Sequence, residues 1–545
     1  MELLIFHWKD RTKSENLVKR RFSRANSIAV ASAAGAFLIA SAIPLISGNA
    51  SAASSSASLT IAVQNVPATL DPALSDNGGN NVTFASLAYD SLIYLAPSGA
   101  YEPDLATSWK YVGSNNEEFV VQLRSGVQFS DGSTLTAQDV VNSIKYAQAS
   151  GSTASSFLTS LASISATGPL TVQMNFSSPR PDLQTIFDQN LLAGDIIGPS
   201  GLATSKGLGT STDGTGPYML DASKSVTGSS YVYDQNPNYW NSSLDQYSSI
   251  TVSVISDPTA GLDAVKSGQV NFMFGGSATQ AKSAQSAGLK VYAAPYGWTA
   301  LFIDDYTGKL VKALGNEKVR QAISYVTNRP VLANALYGQY AIPNDETTLP
   351  GSTGYDPAYS NFYKYNLAKA KKLMAEAGYP HGFVFPIVAT PVQNIETTVE
   401  ALSSELSQIG IKMKIHVDAT FTEEIGDWLA KKYPAVLGAY GTLPMSIESP
   451  ELYPKTAIFN PFKDAANPLI FKYTNEADKL GGAAADTLYQ KVEVTALKEA
   501  YEDVLFGSDS IYFAQPGKIG NLQIGKSYPG SDFAPDVAFF SPPQS

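Results

Sequence analysis

Cysteine is absent from all 545 residues. That excludes disulfides, thiolate metal sites, a thiol nucleophile and a cysteine-linked lipid anchor. Histidine is nearly as scarce, with only His7, His381 and His416. Charged residues make up 16 % of the chain, and 48 acids against 37 bases leave a formal net charge of −11. An acidic chain is a poor partner for nucleic acid or an anionic membrane. Beyond residue 46 no apolar run is long enough to span a bilayer. The hydrolase patterns G-x-S-x-G and H-E-x-x-H are missing, and so is a D-x-D-x-D-G calcium loop. No internal repeat is visible.

What is present begins with an export signal. Lys19, Arg20, Arg21 and Arg24 form a basic region, and residues 28–46 are apolar and uncharged. Pro44 and Gly48 break that run, and Ala50-Ser51-Ala52 fits a small-residue cleavage site. The expectation is a signal peptide over residues 1–52, with an uncleaved membrane anchor as the alternative. Arg20-Arg21 fits the twin-arginine route poorly, because Phe22 follows at once. The remaining residues are too many for one hydrophobic core, so two or three domains are expected.

The most structured stretch is residues 118–147. Phe119, Val121 and Leu123 fall at period two with Glu118, Gln122 and Arg124 opposite, the pattern of a half-buried strand. Asp131-Gly132 is a turn pair. Thr136 suits a helix N-cap with Asp139 in the first turn, and Val140, Ile144 and Ala147 recur at helical spacing. Further strands are expected over 59–63, 250–255 and 411–417. Helices are expected over 84–94, 258–266, 318–336, 367–377 and 396–409. Gly268, Gly378 and Gly410 stand at three of the helix stops. Strands alternating with helices indicate α/β architecture.

Several short motifs occur in one order: Leu70-Asp71-Pro72, residues 102–109 (EPDLATSW), residues 123–147 (LRSGVQFSDGSTLTAQDVVNSIKYA), residues 214–218 (GTGPY), Asn238-Tyr239-Trp240, residues 318–323 (KVRQAI), residues 375–380 (AEAGYP) and residues 409–412 (IGIK). This series resembles the family 5 solute-binding proteins of ABC importers, the oligopeptide, dipeptide and nickel binder group. The resemblance covers roughly residues 59–412. It implies a two-lobed periplasmic-binding-protein-like α/β fold of the cluster C type, with an inserted subdomain and a hinge. The corresponding bounds are 53–95, 211–296 and 513–545 for lobe I, 96–210 for the insertion and 297–512 for lobe II. It also implies capture of an oligopeptide-like solute and delivery to an ABC permease with its ATPase subunits. The implied protein is exported, periplasmic or extracellular, and monomeric, since closure needs both lobes free. It uses no cofactor and no metal, and binds no nucleic acid.

Candidate ligand contacts follow from the same resemblance. Asp76, Asn77 and Asn80 lie in a Gly/Asn-rich loop where relatives meet ligand backbone, though a solvated turn explains the loop equally well. Trp298, beside the implied hinge, is a stacking candidate, against the commoner role of an aromatic in the core. In residues 438–450 (GAYGTLPMSIESP), Tyr440, Thr442, Leu443 and Met445 are the candidates. Peptide-binding relatives carry a Trp and an Asp where this chain aligns Tyr440 and Leu443, and the Asp pairs with the peptide ammonium. Truncating one side of a buried charge pair typically costs about 2–5 kcal/mol. Either Asp76, Glu448 or Glu451 substitutes, or the ligand has no free ammonium and is an oligosaccharide. Leu437 likewise replaces an Arg used by some relatives.

Two other readings carry less. Residues 520–527 (GNLQIGKS) match a phosphate-binding loop, but Tyr528-Pro529-Gly530 is turn sequence where that chemistry needs a helix. His381 sits in a turn, and His416 falls on the polar side of a strand. A secreted hydrolase and a signal receptor of the same fold remain as alternatives in class.

Overall fold

The computed structural model describes residues 57–75, 80–241, 244, 247–390, 395–525 and 535–543. The expected leader, Asp76, Asn77 and the last two residues of the 520–527 stretch lie outside them. The described part of that stretch holds no helix.

Eleven strands form the main sheet among the described residues: β1 (Ser58–Val63), β2 (Tyr218–Leu220), β3 (Ser230–Gln235), β4 (Ser249–Val254), β5 (Phe272–Gly276), β6 (Lys290–Phe302), β7 (Ala341–Pro343), β8 (Val384–Ala389), β9 (Lys412–Val417), β10 (Val436–Gly441) and β11 (Glu502–Ala514). Their order is β9-β8-β10-β6-β11-β5-β1-β4-β3-β2, with β7 added on β11. β1 runs parallel to β4 and β5, and β8 runs parallel to β9 and β10, so each side of the sheet has its own parallel centre.

Only β6 and β11 belong to both sides. Each has 13 residues, about 40 Å at the usual rise. They pair antiparallel from Lys290↔Ala514 to Phe302↔Glu502. The end of β11 joins β5 at Phe272↔Ala514, whereas the end of β6 joins β10 from Gly297↔Gly441 to Phe302↔Val436. The register slips between Pro295 and Gly297, where the pairing passes from one side to the other. Pro295 cannot donate to the ladder, and such residues sit at irregularities. Gly297 answers a close approach, because a Cβ there would run into the carbonyl oxygen of Tyr440.

The segment between β1 and β2 carries a four-stranded antiparallel sheet in the order Ala106–Val112, Glu118–Leu123, Thr171–Phe176, Leu161–Gly168. Helix Ala137–Ala149 packs on it through Val140, Ile144 and Ala147. Its N-terminus is a full capping box. The backbone N–H of Thr136 donates to Asp139 (2.9 Å), and Thr136 accepts from the Asp139 N–H.

Two expected helices differ. The helix expected over 84–94 is Asn81–Ala88, followed by strand Ile93–Leu95. Tyr89 is extended, and the buried Ser91 hydroxyl bonds the Ile93 carbonyl (2.6 Å), a side-chain bond that competes with helix. The helix expected over 318–336 is two, Glu317–Val326 and Arg329–Leu336. Pro330 cannot continue a helix from the preceding turn and sits instead in the first turn of a new one. Among the described residues no helix is long and apolar enough to cross a membrane.

Candidate functional site

The crossover between the two sides of the sheet gathers most of the sequence candidates. Trp298 on β6 and Tyr440 on β10 are register partners. Their rings lie 5.2 Å apart, and Trp298 also meets Phe302 at 5.3 Å. The Tyr440 hydroxyl donates to the Glu451 carboxylate. Thr442 follows β10 directly, its N–H reaching the Tyr296 carbonyl (3.3 Å). Leu443 and Met445 flank Pro444, at the start of helix Met445–Leu452. Trp298, Thr442 and Met445 are wholly buried, and Tyr440 and Leu443 nearly so.

Several polar atoms here are orphaned, two of them on the sequence candidates. The indole N–H of Trp298 and the hydroxyl of Thr442 are buried without a hydrogen-bond partner. Buried donors are almost always paired, by protein, water or ligand. Asn80 lies elsewhere, at the N-cap position of helix Asn81–Ala88, half-buried and making no side-chain cap bond.

Of the acids named as substitutes at position 443, Glu448 is sealed off, with no exposed surface and neither oxygen hydrogen-bonded. Burial pushes its carboxyl well above the usual range. Glu451, one turn further on, is half-buried. Burial raises its pKa, while the Tyr440 hydroxyl and the charge of Arg180 pull it down. Sequence reading passed over Asp509. It stands on β11 opposite Pro295, at the register slip, half-buried and pushed up to about 6 by burial. An isolated acid within a long strand has no local sequence signal.

The part carrying the four-stranded sheet is tied to helix Pro468–Ala477. The Asn116 amide donates to the carbonyls of Asp478 (2.9 Å) and Leu480 (3.0 Å) just beyond the helix end. Arg180, paired with Asp182 (2.9 Å), brings positive charge toward both Glu451 and Asp478. Burial lifts Asp478 to about 7.

The quoted motifs do different work. Arg124 stacks over Trp240 (4.1 Å), and the Trp240 indole donates to Asp90 (2.8 Å). A Cβ on Gly214 or Gly216 would collide with backbone at Ala88. These residues hold elements together and stand apart from the crossover.

A sheet divided into two parallel-centred halves, joined through two shared strands, with polar groups orphaned at the junction, defines a two-lobed binding protein. The model for bacterial extracellular solute-binding proteins, family 5, matches residues 100–450, and the chain belongs to that family. It is the solute-binding component of an ABC importer and not an enzyme, which sets the hydrolase alternative aside. Among curated relatives, the glutathione-binding protein GsiB of Escherichia coli K12 is 27 % identical over 374 residues, 67 % of this chain and 70 % of that protein. Among solved structures, DppA of Helicobacter pylori in complex with the peptide STSA has a TM-score of 0.74 at 21 % identity, covering 89 % of this chain and 97 % of that one. AgaA of A. tumefaciens R10 in complex with agropinic acid has a TM-score of 0.74 at 22 % identity, covering 85 % and 94 %.

Proposed function

We propose that this chain captures an oligopeptide-like solute at the crossover and delivers it to its permease and ATPase subunits. The observation that carries the reading is the pair of orphaned buried groups, the Trp298 N–H and the Thr442 hydroxyl, beside the aromatic wall of Trp298 and Tyr440. A peptide backbone supplies the acceptors and donors that such groups need. Glu451, held by Tyr440, takes the part of the acid that Leu443 cannot play, and Asp509 adds a second carboxylate at the junction. Relatives named for glutathione and for a bound peptide support the same class. Asn80, with Asp76 and Asn77, would close the site from lobe I.

In this reading the chain is an exported monomer that works outside the cytoplasm, with residues 1–52 as its leader. The hinge is the Pro295–Gly297 slip on β6 and the facing Ser508–Asp509 on β11. Closure is favoured only by the ligand's greater affinity for the closed form.

One observation favours a sugar-like ligand instead: Leu443, which the resemblance aligns with the ammonium-binding acid, is apolar and buried three residues beyond Tyr440, whose ring meets that of Trp298. A thermal-shift screen of di- to pentapeptides and oligosaccharides separates the two. A ligand at about 100 times its Kd adds about 2.7 kcal/mol of stability. Stabilisation by peptides supports the proposal, and stabilisation by sugars alone overturns it.

A further inference from the structure

The far edge of the sheet carries a group of side chains that solute capture does not use. His416 is on β9 and Asp418 follows it directly, while Asp427 is on helix Phe421–Leu429. One donor atom from each lies within 4.8 Å of the other two. The His416 Nε2 and an Asp418 oxygen are 3.1 Å apart, a normal separation for two atoms bound to one cation with bonds of about 2.0–2.2 Å. The group is three strands from β6, about 14 Å at the usual spacing.

The three side chains are held in place from outside the group. The Asp418 N–H donates to the Ala389 carbonyl (2.9 Å), and the His416 ring stacks on Tyr433 (16° between planes). A capping box at Thr420 and Glu423 fixes the start of the helix that bears Asp427.

A second observation points to a missing cation. Asp418 is nine-tenths buried, and its other carboxylate oxygen has no hydrogen-bond partner. Glu424, on the same helix as Asp427 and 2 % exposed, also has an unpartnered oxygen, and its charge meets that of Asp418. The ammonium of Lys432, 2.5 Å from Asp427, is the cation paired with this group. Asp418, Asp427 and the buried Glu424 together face one ammonium, an excess of acid over base that a divalent ion would offset. Lys432 is more than half exposed and free to swing away, and it engages a single oxygen of Asp427.

We propose that His416, Asp418 and Asp427 bind a divalent transition-metal ion of the zinc type, with Glu424 behind them as a compensated charge. One imidazole with carboxylates suits zinc, whereas magnesium and calcium take oxygen alone. The half-exposed imidazole leaves an open side for solvent and for metal exchange.

Calorimetric titration of the untagged full chain with zinc chloride tests this. The expected result is one equivalent bound in the micromolar range. His416→Ala and Asp427→Asn each weaken it at least about tenfold, while His7→Ala and His381→Ala leave it unchanged. Lys432→Ala tightens binding severalfold, because it removes the competing ammonium. An adventitious surface histidine would not respond to that change. Absence of binding below millimolar zinc, equal binding by His416→Ala, or no gain with Lys432→Ala overturns the proposal.

Discussion

Trp298 and Tyr440 face each other across the one place where the two halves of the sheet meet, with 31° between their ring planes. Tyr440 is also the residue whose hydroxyl holds Glu451. One side chain therefore supplies both aromatic wall and a fixed acid.

Tyr440→Phe keeps the ring and frees Glu451, whereas Tyr440→Ala removes both. For a cationic peptide, Phe should weaken binding by about ten- to hundredfold and Ala by more, in line with losing a charge-assisted hydrogen bond of about 1.5–3 kcal/mol. Fluorescence titration with the best ligand from the thermal screen checks this. Equal affinity in all three proteins would remove Tyr440 from the site.

Gly297→Ala should separate β6 from β10, since the added Cβ meets the Tyr440 carbonyl. Both variant and wild type can be followed by urea unfolding and ligand titration. The expected outcome is lost affinity together with lower stability, because the same contact sets the register of the wall.

Arg329 is the clearest structural charge. Its guanidinium reaches Asp503 (2.5 Å) and the carbonyls of Val504, Ser324 and Tyr363, all buried. Arg329→Met should destabilise by about 3–5 kcal/mol, as breaking one side of a buried pair does. Lys should rescue little, lacking the forked donors. Denaturant midpoints give the answer.

Stability should fall as pH rises. Glu346 and Glu493 are buried close to one another, with carboxyls pushed up to about 9 and about 7 by burial first and then, for Glu346, by the Glu493 charge and, for Glu493, by Asp345. Thr347 gives its N–H (2.9 Å) and hydroxyl (2.6 Å) to Glu493, and Asp356 gives an N–H to Glu346 (3.2 Å). Because their folded values lie above the ordinary 4.5, the folded state holds protons that the unfolded chain releases. Their stabilisation is whole below about pH 4.5 and is lost as pH climbs through 7 to 9. Denaturant midpoints at pH 4.5, 7 and 9 should decline in that order. Glu493→Gln, which is always neutral, should flatten the slope.

Much of the architecture was legible from residues 118–147 and the short motifs. Period-two alternation, Thr136 with Asp139, and glycines at helix stops are local signals, and they appear where expected. The motif residues were legible for a related reason. Arg124, Trp240, Gly214 and Gly216 pack against fixed partners, so their identity is constrained by shape. Pro330 was equally visible, and its effect on the 318–336 helix follows from its missing N–H.

The site was less legible because its members are distant in sequence. Trp298 and Tyr440 pair only once β6 lies beside β10, and Glu451 acquires a role only through the Tyr440 hydroxyl. The scarcity of histidine argued against a metal site, yet the fold sets His416 and two aspartates within reach of one ion. By itself the sequence determined the family, through the order of its motifs, and the α/β class, the capped elements and the shortage of thiols and imidazoles, which are properties of composition and near neighbours. Tertiary structure alone decided which polar groups are orphaned, which acids are sealed or half open, and which charges meet, because burial and pairing belong to contacts between residues far apart in the chain.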